Sequence, residues 1–351
     1  MPVKRLCFIS LVVLLVAASS TQADQTDDFV RAAIQKERIP GLSLVVLKDG
    51  QIVKVAGYGV ADRMRKIDAT PDTVYKIGSV SKQFIATGIM LLVQEGRLDL
   101  EQPIGRYMSG LPAAWNDITV RHLLTHTSGL APEAPGFDPS VVRSDADLIK
   151  GAYSVPLRFA PGEKWEYSNL GYYVLADTIR VVSGRPWSEY LQQKVFGPCG
   201  MNATRTTATQ PVPNQAVGYT DNDRLLEAPN WAALRPSGAF LSTVIDLAKW
   251  DAALYTGKIL SESSRRQMWA AVSLKNGSSY PYGFGWQLGS FRNHKLVHHG
   301  GGIPGFQSEF ARYVDDRVTV IILMNLDDAD IDAIARGVAA LYLPMPVGAA
   351  K

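Results

Sequence analysis

Short apolar runs near the two ends of the chain have the spacing of strands, and the apolar residues between them fall mostly at helical spacing. After an amphipathic stretch from Asp27 to Lys36, the segment "LSLVVLKDGQIVKVAGYGV" holds two runs rich in β-branched residues on either side of Asp49-Gly50. That pair favours the two-residue turn of a β-hairpin. The other end repeats the pattern: "FGWQLGS", "HKLVHH", "SEFARYV" and "VTVIILMN" read as strands, with Asp315-Asp316 as a turn and Ile331 to Leu343 as a closing helix. In the middle, Thr119, Ser144 and the run Ser183-Gly184-Arg185-Pro186 are start and stop signals for helices.

Strands at both termini around a helical middle predict an α+β fold: one antiparallel sheet built from both chain termini and flanked by helices, with a large, mostly helical insertion. The expected sheet lobe is about 24–76 with 283–345, and the helical lobe about 77–282. No repeat, low-complexity tract or linker separates them, so 24–351 is expected to form one domain, with a site in the cleft between lobes. At 351 residues and 46% hydrophobic, the chain can bury a large core.

The first residues change the picture. Lys4 and Arg5 precede an apolar stretch from Phe8 to Ala18, and small and polar residues run on to Thr21-Gln22-Ala23. This is the pattern of a signal peptide over 1–23, which places the mature protein in the periplasm or outside the cell. The rival reading, an uncleaved anchor, is disfavoured because the apolar core falls short of the roughly 18 to 20 residues of a span. Removing the signal takes away two of 36 basic residues and none of 33 acidic ones, leaving a net charge of +1. Such a balance gives no support to nucleic-acid binding. Of two cysteines, Cys7 leaves with the signal, so no internal disulfide is expected and Cys199, in "VFGPCGM", reads as a packing residue. Oligomeric state is not legible.

Three stretches carry candidate chemistry. In "YKIGSVSKQF", a helix beginning near Ser79 sets the Lys82 amine one turn from the Ser79 hydroxyl. A crowded lysine loses proton affinity and can serve as a base, and the helix N-terminus offers N–H groups to an oxyanion. The plainer alternative is that Ser79 or Ser81 caps the helix while Lys82 reaches solvent. In Tyr167-Ser168-Asn169, the tyrosine can carry protons if a positive neighbour lowers its pKa, and Asn169 can hold a substrate amide or the lysine; alternatively Ser168 or Asn169 is a cap and Tyr167 a core residue. In "HHGGGIPGF", glycines after a strand let a substrate approach backbone N–H groups, or simply make a tight turn. His122 and His126 have the i, i+4 spacing of zinc helices, but "HLLTH" lacks the glutamate that follows the first histidine, and no metal or other cofactor is expected. No Gly-x-Ser-x-Gly occurs.

Taken in order, Ser79-Val80-Ser81-Lys82, Tyr167-Ser168-Asn169 and His299-Gly300-Gly301 resemble the three motifs of the penicillin-recognising serine hydrolases. That family includes class C β-lactamases, low-molecular-weight D,D-peptidases and related esterases and aminopeptidases. "TVRHLLTHTSGL", "FGPCGM", "PSGAFLSTVIDLAKW" and "YGFGWQL" are similar to family blocks as well. The resemblance implies that Ser79 is the acylated nucleophile, that Lys82 helps remove its proton with Ser81 in support, and that Tyr167 shuttles protons. Asn169 would orient Lys82 and the substrate, and the backbone N–H groups of Ser79 and Gly302 would form the oxyanion hole beside Gly300 and Gly301. The implied reaction is metal-free acyl transfer on an ester, an amide or a β-lactam, borne by a small-molecule or peptide substrate.

The chain departs from many β-lactamases in carrying His299 where they have a lysine. Histidine supplies no permanent charge for a substrate carboxylate, and if its neutral form is needed, activity should fall below about pH 6 to 6.5. Cys199 stands where an aliphatic residue is usual, and Glu166 receives no role. A silent binding module is the rival class of function, disfavoured by the presence of Ser79, Lys82 and Tyr167 together. The loops Pro132 to Val142 and Thr206 to Leu226, which would shape the pocket, are not readable.

Overall fold

The two ends of the chain share one sheet. In the computed structural model, which describes residues 22, 24–138, 141, 143–206, 212–220, 225–229, 235–238 and 240–344, seven antiparallel strands make that sheet. They are β1 (Gly41–Lys48), β2 (Gln51–Asp62), β3 (Ile67–Asp68), β4 (Gln287–Phe291), β5 (His294–Ile303), β6 (Phe306–Tyr313) and β7 (Val318–Met324), in the spatial order β4-β5-β6-β7-β1-β2-β3. The signal-peptide reading, with Cys7, falls outside the described residues apart from Gln22, as do parts of both unread loops. Among the described residues no helix is long and apolar enough to cross a membrane.

Asp49 and Gly50 both have positive φ, 52° and 77°, as the primed turn of the β1–β2 hairpin requires. β1 and β7 lie side by side in the middle of the sheet, with Val45 opposite Ile321. Their side chains alternate between two buried faces. Leu44, Val46 and Ile322 pack with the terminal helices, α1 (24–37) and α5 (Ile331–Tyr342). Val45, Leu47, Ile321 and Leu323 face the larger core of the helical lobe.

That core is built on α2 (Lys82–Gln94), whose Phe84 ring lies 5.2 Å from both Phe196 and Trp250. Helix α3 (Asn169–Ser183) crosses it at Gly88, where an added Cβ would stand 2.8 Å from Ile179 Cδ1, so no larger residue fits without movement. A fully buried ion pair, Arg312 Nε to Asp251 Oδ1 at 2.6 Å, joins β6 to α4 (Val244–Leu254).

Two local expectations are corrected. Gly300, Gly301 and Gly302 belong to β5 rather than to a loop, and the turn follows at Pro304-Gly305. Pairing with β6, Gly301 opposite Ser308, holds them extended despite their weak strand preference. The helix after the first motif also starts at Lys82, because Gly78–Ser81 is a separate 3-10 turn.

Candidate active site

Gly78, with φ 47°, lets the chain turn sharply into the 3-10 segment that presents Ser79, the one partly exposed residue of that segment. Ser308 Oγ donates to Ile77 O at 2.8 Å, and Ser81 Oγ donates to Gly78 O at 2.7 Å while accepting from Phe240 N at 3.2 Å. Ser81 therefore pins the turn and does not cap α2. The turn sits directly on β5. A Cβ at Gly78 would lie 2.7 Å from Gly302 N, and one at Gly301 would lie 2.9 Å from Ser79 N and 2.3 Å from Ile77 O. Only glycines allow this approach, and it sets the amide nitrogens of Ser79 and Gly302 close to one another.

Lys82 is fully buried, not solvent-reaching. Its Nζ lies 3.2 Å from Ser79 Oγ and donates to Asn169 Oδ1 at 2.7 Å and to Ser237 O at 2.6 Å. Two acceptors hold two N–H groups and leave the third position of the nitrogen directed at Ser79. When the amine is neutral that position is a lone pair, able to accept the Ser79 proton. Burial brings the Lys82 pKa down to about 7, opposed by the Glu133 carboxylate.

The Tyr167 ring lies 4.6 Å from Lys82 Nζ and Tyr172 lies 5.4 Å from it. The Tyr167 hydroxyl is buried beside Ser79 with no partner in hydrogen-bond geometry. Its pKa moves up, not down: desolvation outweighs the interaction with Ser79. That direction favours a neutral phenol at Tyr167 over an anion poised by the lysine. Ser168 caps α3, accepting from Gly171 N at 3.1 Å, and donates to Ala131 O at 2.7 Å. Capping and site-building therefore coexist in one motif.

His299 is buried, with Nδ1 2.6 Å from Gly300 O and Nε2 2.9 Å from the Tyr282 hydroxyl. A carbonyl only accepts, so Nδ1 carries the proton and Nε2 accepts from Tyr282. Burial first, then Lys82, depress its pKa to about 3. This direction runs against the expected loss of activity near pH 6 to 6.5 through His299, since burial favours the neutral imidazole there.

Two residues of this site were missed from sequence. His126 does not share a helix face with His122. The helix Val120–Leu124 ends before it, His126 has φ 60°, and His122 Nδ1 instead accepts from Thr119 N at 3.2 Å. Fully enclosed, His126 packs with its ring centre 4.3 Å from that of Tyr167, the two rings tilted by 37°, and its Nδ1 accepts from Ser168 N at 3.1 Å. The "TVRHLLTHTSGL" block was the available signal. Glu133, whose Oε1 accepts from Asn169 Nδ2, lies in a loop without periodicity, and nothing in the sequence marked it. Elsewhere, the half-buried Cys199 thiol is pushed up to about 11, and Glu166 pairs with Arg158 at 2.6 Å. Among the described residues no group of three or more His, Cys, Asp or Glu side chains is placed to hold a metal ion.

A family model described as Beta-lactamase matches residues 26–343. Penicillin-binding protein 4* of Bacillus subtilis (strain 168) is 31% identical over 310 residues, covering 82% of this chain and 68% of that protein. Among solved structures, the octameric penicillin-binding protein homologue from Pyrococcus abyssi is similar over 91% of this chain and 76% of its own, with TM-score 0.81 and 28% identity. D-amino acid amidase from Ochrobactrum anthropi SV3, solved with L-phenylalanine amide, is similar over 93% and 96% of the two chains, with TM-score 0.78 and 27% identity.

Proposed function

The chain belongs to the Beta-lactamase family, the penicillin-recognising serine hydrolases, and from that premise we propose that it cleaves an ester or amide bond through an acyl-enzyme on Ser79. The observation that carries this reading is the Lys82 amine, buried, held by two acceptors and 3.2 Å from Ser79 Oγ. Neutral Lys82 takes the Ser79 proton as Oγ attacks the carbonyl carbon. The N–H groups of Ser79 and Gly302 receive the oxyanion. As the tetrahedral intermediate collapses, Tyr167 passes a proton to the departing alkoxide or amine and is replenished from Lys82. Water then attacks the acyl ester along the same relay, releasing the acid and restoring Ser79.

His299 acts through the backbone, holding the Gly300 carbonyl and Tyr282, and offers no free N–H and no charge to a substrate. This favours substrates without a carboxylate at that place: neutral esters, and amides of the kind named for the Ochrobactrum enzyme. The penicillin-binding relatives support a second reading, in which peptidoglycan-type D,D-peptides are cleaved and penicillin acylates Ser79 but leaves slowly. The signal-peptide pattern of residues 1–23 supports a reaction outside the cytoplasm.

Turnover of a short-chain aryl ester, a D-amino-acid amide and benzylpenicillin, with intact mass followed in parallel, tests the assignment. Ester or amide turnover with slow or no benzylpenicillin turnover is expected. Benzylpenicillin hydrolysed as fast as the best ester would contradict the argument from His299.

A further inference from the structure

The segment Ala131–Glu133 is fastened to the second motif residue by residue. Ser168 Oγ donates to Ala131 O at 2.7 Å, and Asn169 N and Leu170 N donate to Pro132 O at 2.9 and 3.3 Å. Two of the free N–H groups of the α3 N-terminus, those of Asn169 and Leu170, are thereby satisfied by this loop. The next residue along it, Glu133, receives the Asn169 side-chain amide.

We propose that Glu133 is a positioning residue of the acylation machinery, whose carboxylate fixes the orientation of the Asn169 amide and, through it, of the Lys82 amine. The inference rests on the acyl-enzyme reading above. Asparagine has one acceptor oxygen and two donor hydrogens, and turning its amide by half a revolution exchanges them. A carboxylate only accepts, so it binds the NH₂ end and leaves Oδ1 for Lys82. In the turned orientation two sets of N–H groups would face each other, and Lys82 would lose one of the acceptors that aim it at Ser79. Hydrogen bonds alone therefore run Glu133, Asn169, Lys82, Ser79 in one chain.

Glu133 has a second, electrostatic effect. The groups facing Lys82 are Glu133 from this loop, His126 from the turn after the helix Val120–Leu124, Tyr167 and Tyr172 from the second motif and α3, and His299 from β5. Of these only Glu133 raises the proton affinity of Lys82. Partial burial raises the pKa of Glu133 in turn, while Asn169 and Lys82 oppose that shift. Removing the charge makes Lys82 easier to deprotonate, and removing the acceptor lets Asn169 rotate.

The test is the rate of Ser79 labelling by a fluorophosphonate as a function of pH, in wild type, Glu133→Gln and Glu133→Ala, with folding checked by circular dichroism. Glutamine keeps an acceptor oxygen without the charge. E133Q should label at close to the wild-type rate in alkali, with the acid limb of its profile moved to lower pH by about half a unit or more. E133A should label about tenfold to a hundredfold more slowly even in alkali, with its fold intact. An E133A protein that folds and labels at the wild-type rate in alkali overturns the proposal, and so does an E133Q profile that superimposes on wild type. Wild-type protein that is never labelled at Ser79 would overturn the acyl-enzyme reading, and this inference with it.

Discussion

Lys82 Nζ meets Asn169 Oδ1 at 2.7 Å across 87 residues of sequence, and that contact joins the first and second motifs into one site. With Ser237 O taking a second N–H, the lysine has no choice of direction left, and its remaining position is aimed at the Ser79 hydroxyl. Burial makes the neutral amine accessible at ordinary pH.

Activity should accordingly rise with pH through about 7, the Lys82 value, since the deprotonated amine is the active form. His299, depressed to about 3, contributes no step between pH 5 and 8. The profile of kcat/KM from pH 4 to 9 checks this, and His299→Asn should leave the position of the acid limb in place. A limb that moves with His299 would contradict the assignment.

Gly301→Ala and Gly302→Ala should behave differently, although the two glycines are neighbours. A Cβ at Gly301 meets Ile77 O at 2.3 Å, Ser308 Oγ at 2.4 Å and Ser79 N at 2.9 Å, whereas at Gly302 nothing lies within 4 Å. G301A should cost about 1 to 3 kcal/mol of stability and displace the nucleophile turn from β5. G302A should fold like wild type. Denaturant unfolding and Ser79 labelling rates on both variants read the difference.

Asp251→Ala should destabilise by about 3 to 5 kcal/mol, because it leaves the buried Arg312 guanidinium without its carboxylate. The pair also accepts Thr319 Oγ1 at 3.0 Å, so one substitution loosens β6, β7 and α4 together. Activity per folded molecule should be unchanged. Unfolding curves combined with active-site titration separate the two effects.

Acid should unfold the protein partly through its buried histidines. His126 and His299 are both held neutral, with pKa depressed by burial, while in the unfolded chain each takes up a proton near 6.5. Between those values the unfolded state binds more protons, so stability rises with pH and is lost as pH falls below about 6.5. Unfolding free energy against pH should show this slope, and His299→Asn should flatten it.

The hairpin at Asp49-Gly50, the strand runs at both ends and the closing helix were legible because each is a local pattern of turn chemistry or period. Ser79 and Lys82 were legible because three residues of a helical turn bring two groups together. What decided between a base and a solvent-reaching lysine was not local. Asn169 and Ser237 supply the acceptors from 87 and 155 positions away, and no periodicity encodes them. The places of His126 and Glu133 in the site are not local either, since they reach it through Ser168 and Asn169 across 42 and 36 residues. The glycines of β5 read as a loop because glycine disfavours strands; in the fold their pairing with β6 keeps them in one, and the nucleophile turn needs Gly301 bare.

The most direct test of the central claim is to quench turnover of a chromogenic ester in acid within its first burst and map the acyl mass by peptide sequencing, in wild type and in Ser79→Ala. The account predicts an acyl group on Ser79 in the wild type, with no adduct and no turnover in the variant. Turnover surviving in Ser79→Ala, or an acyl group carried by any other residue, would contradict it.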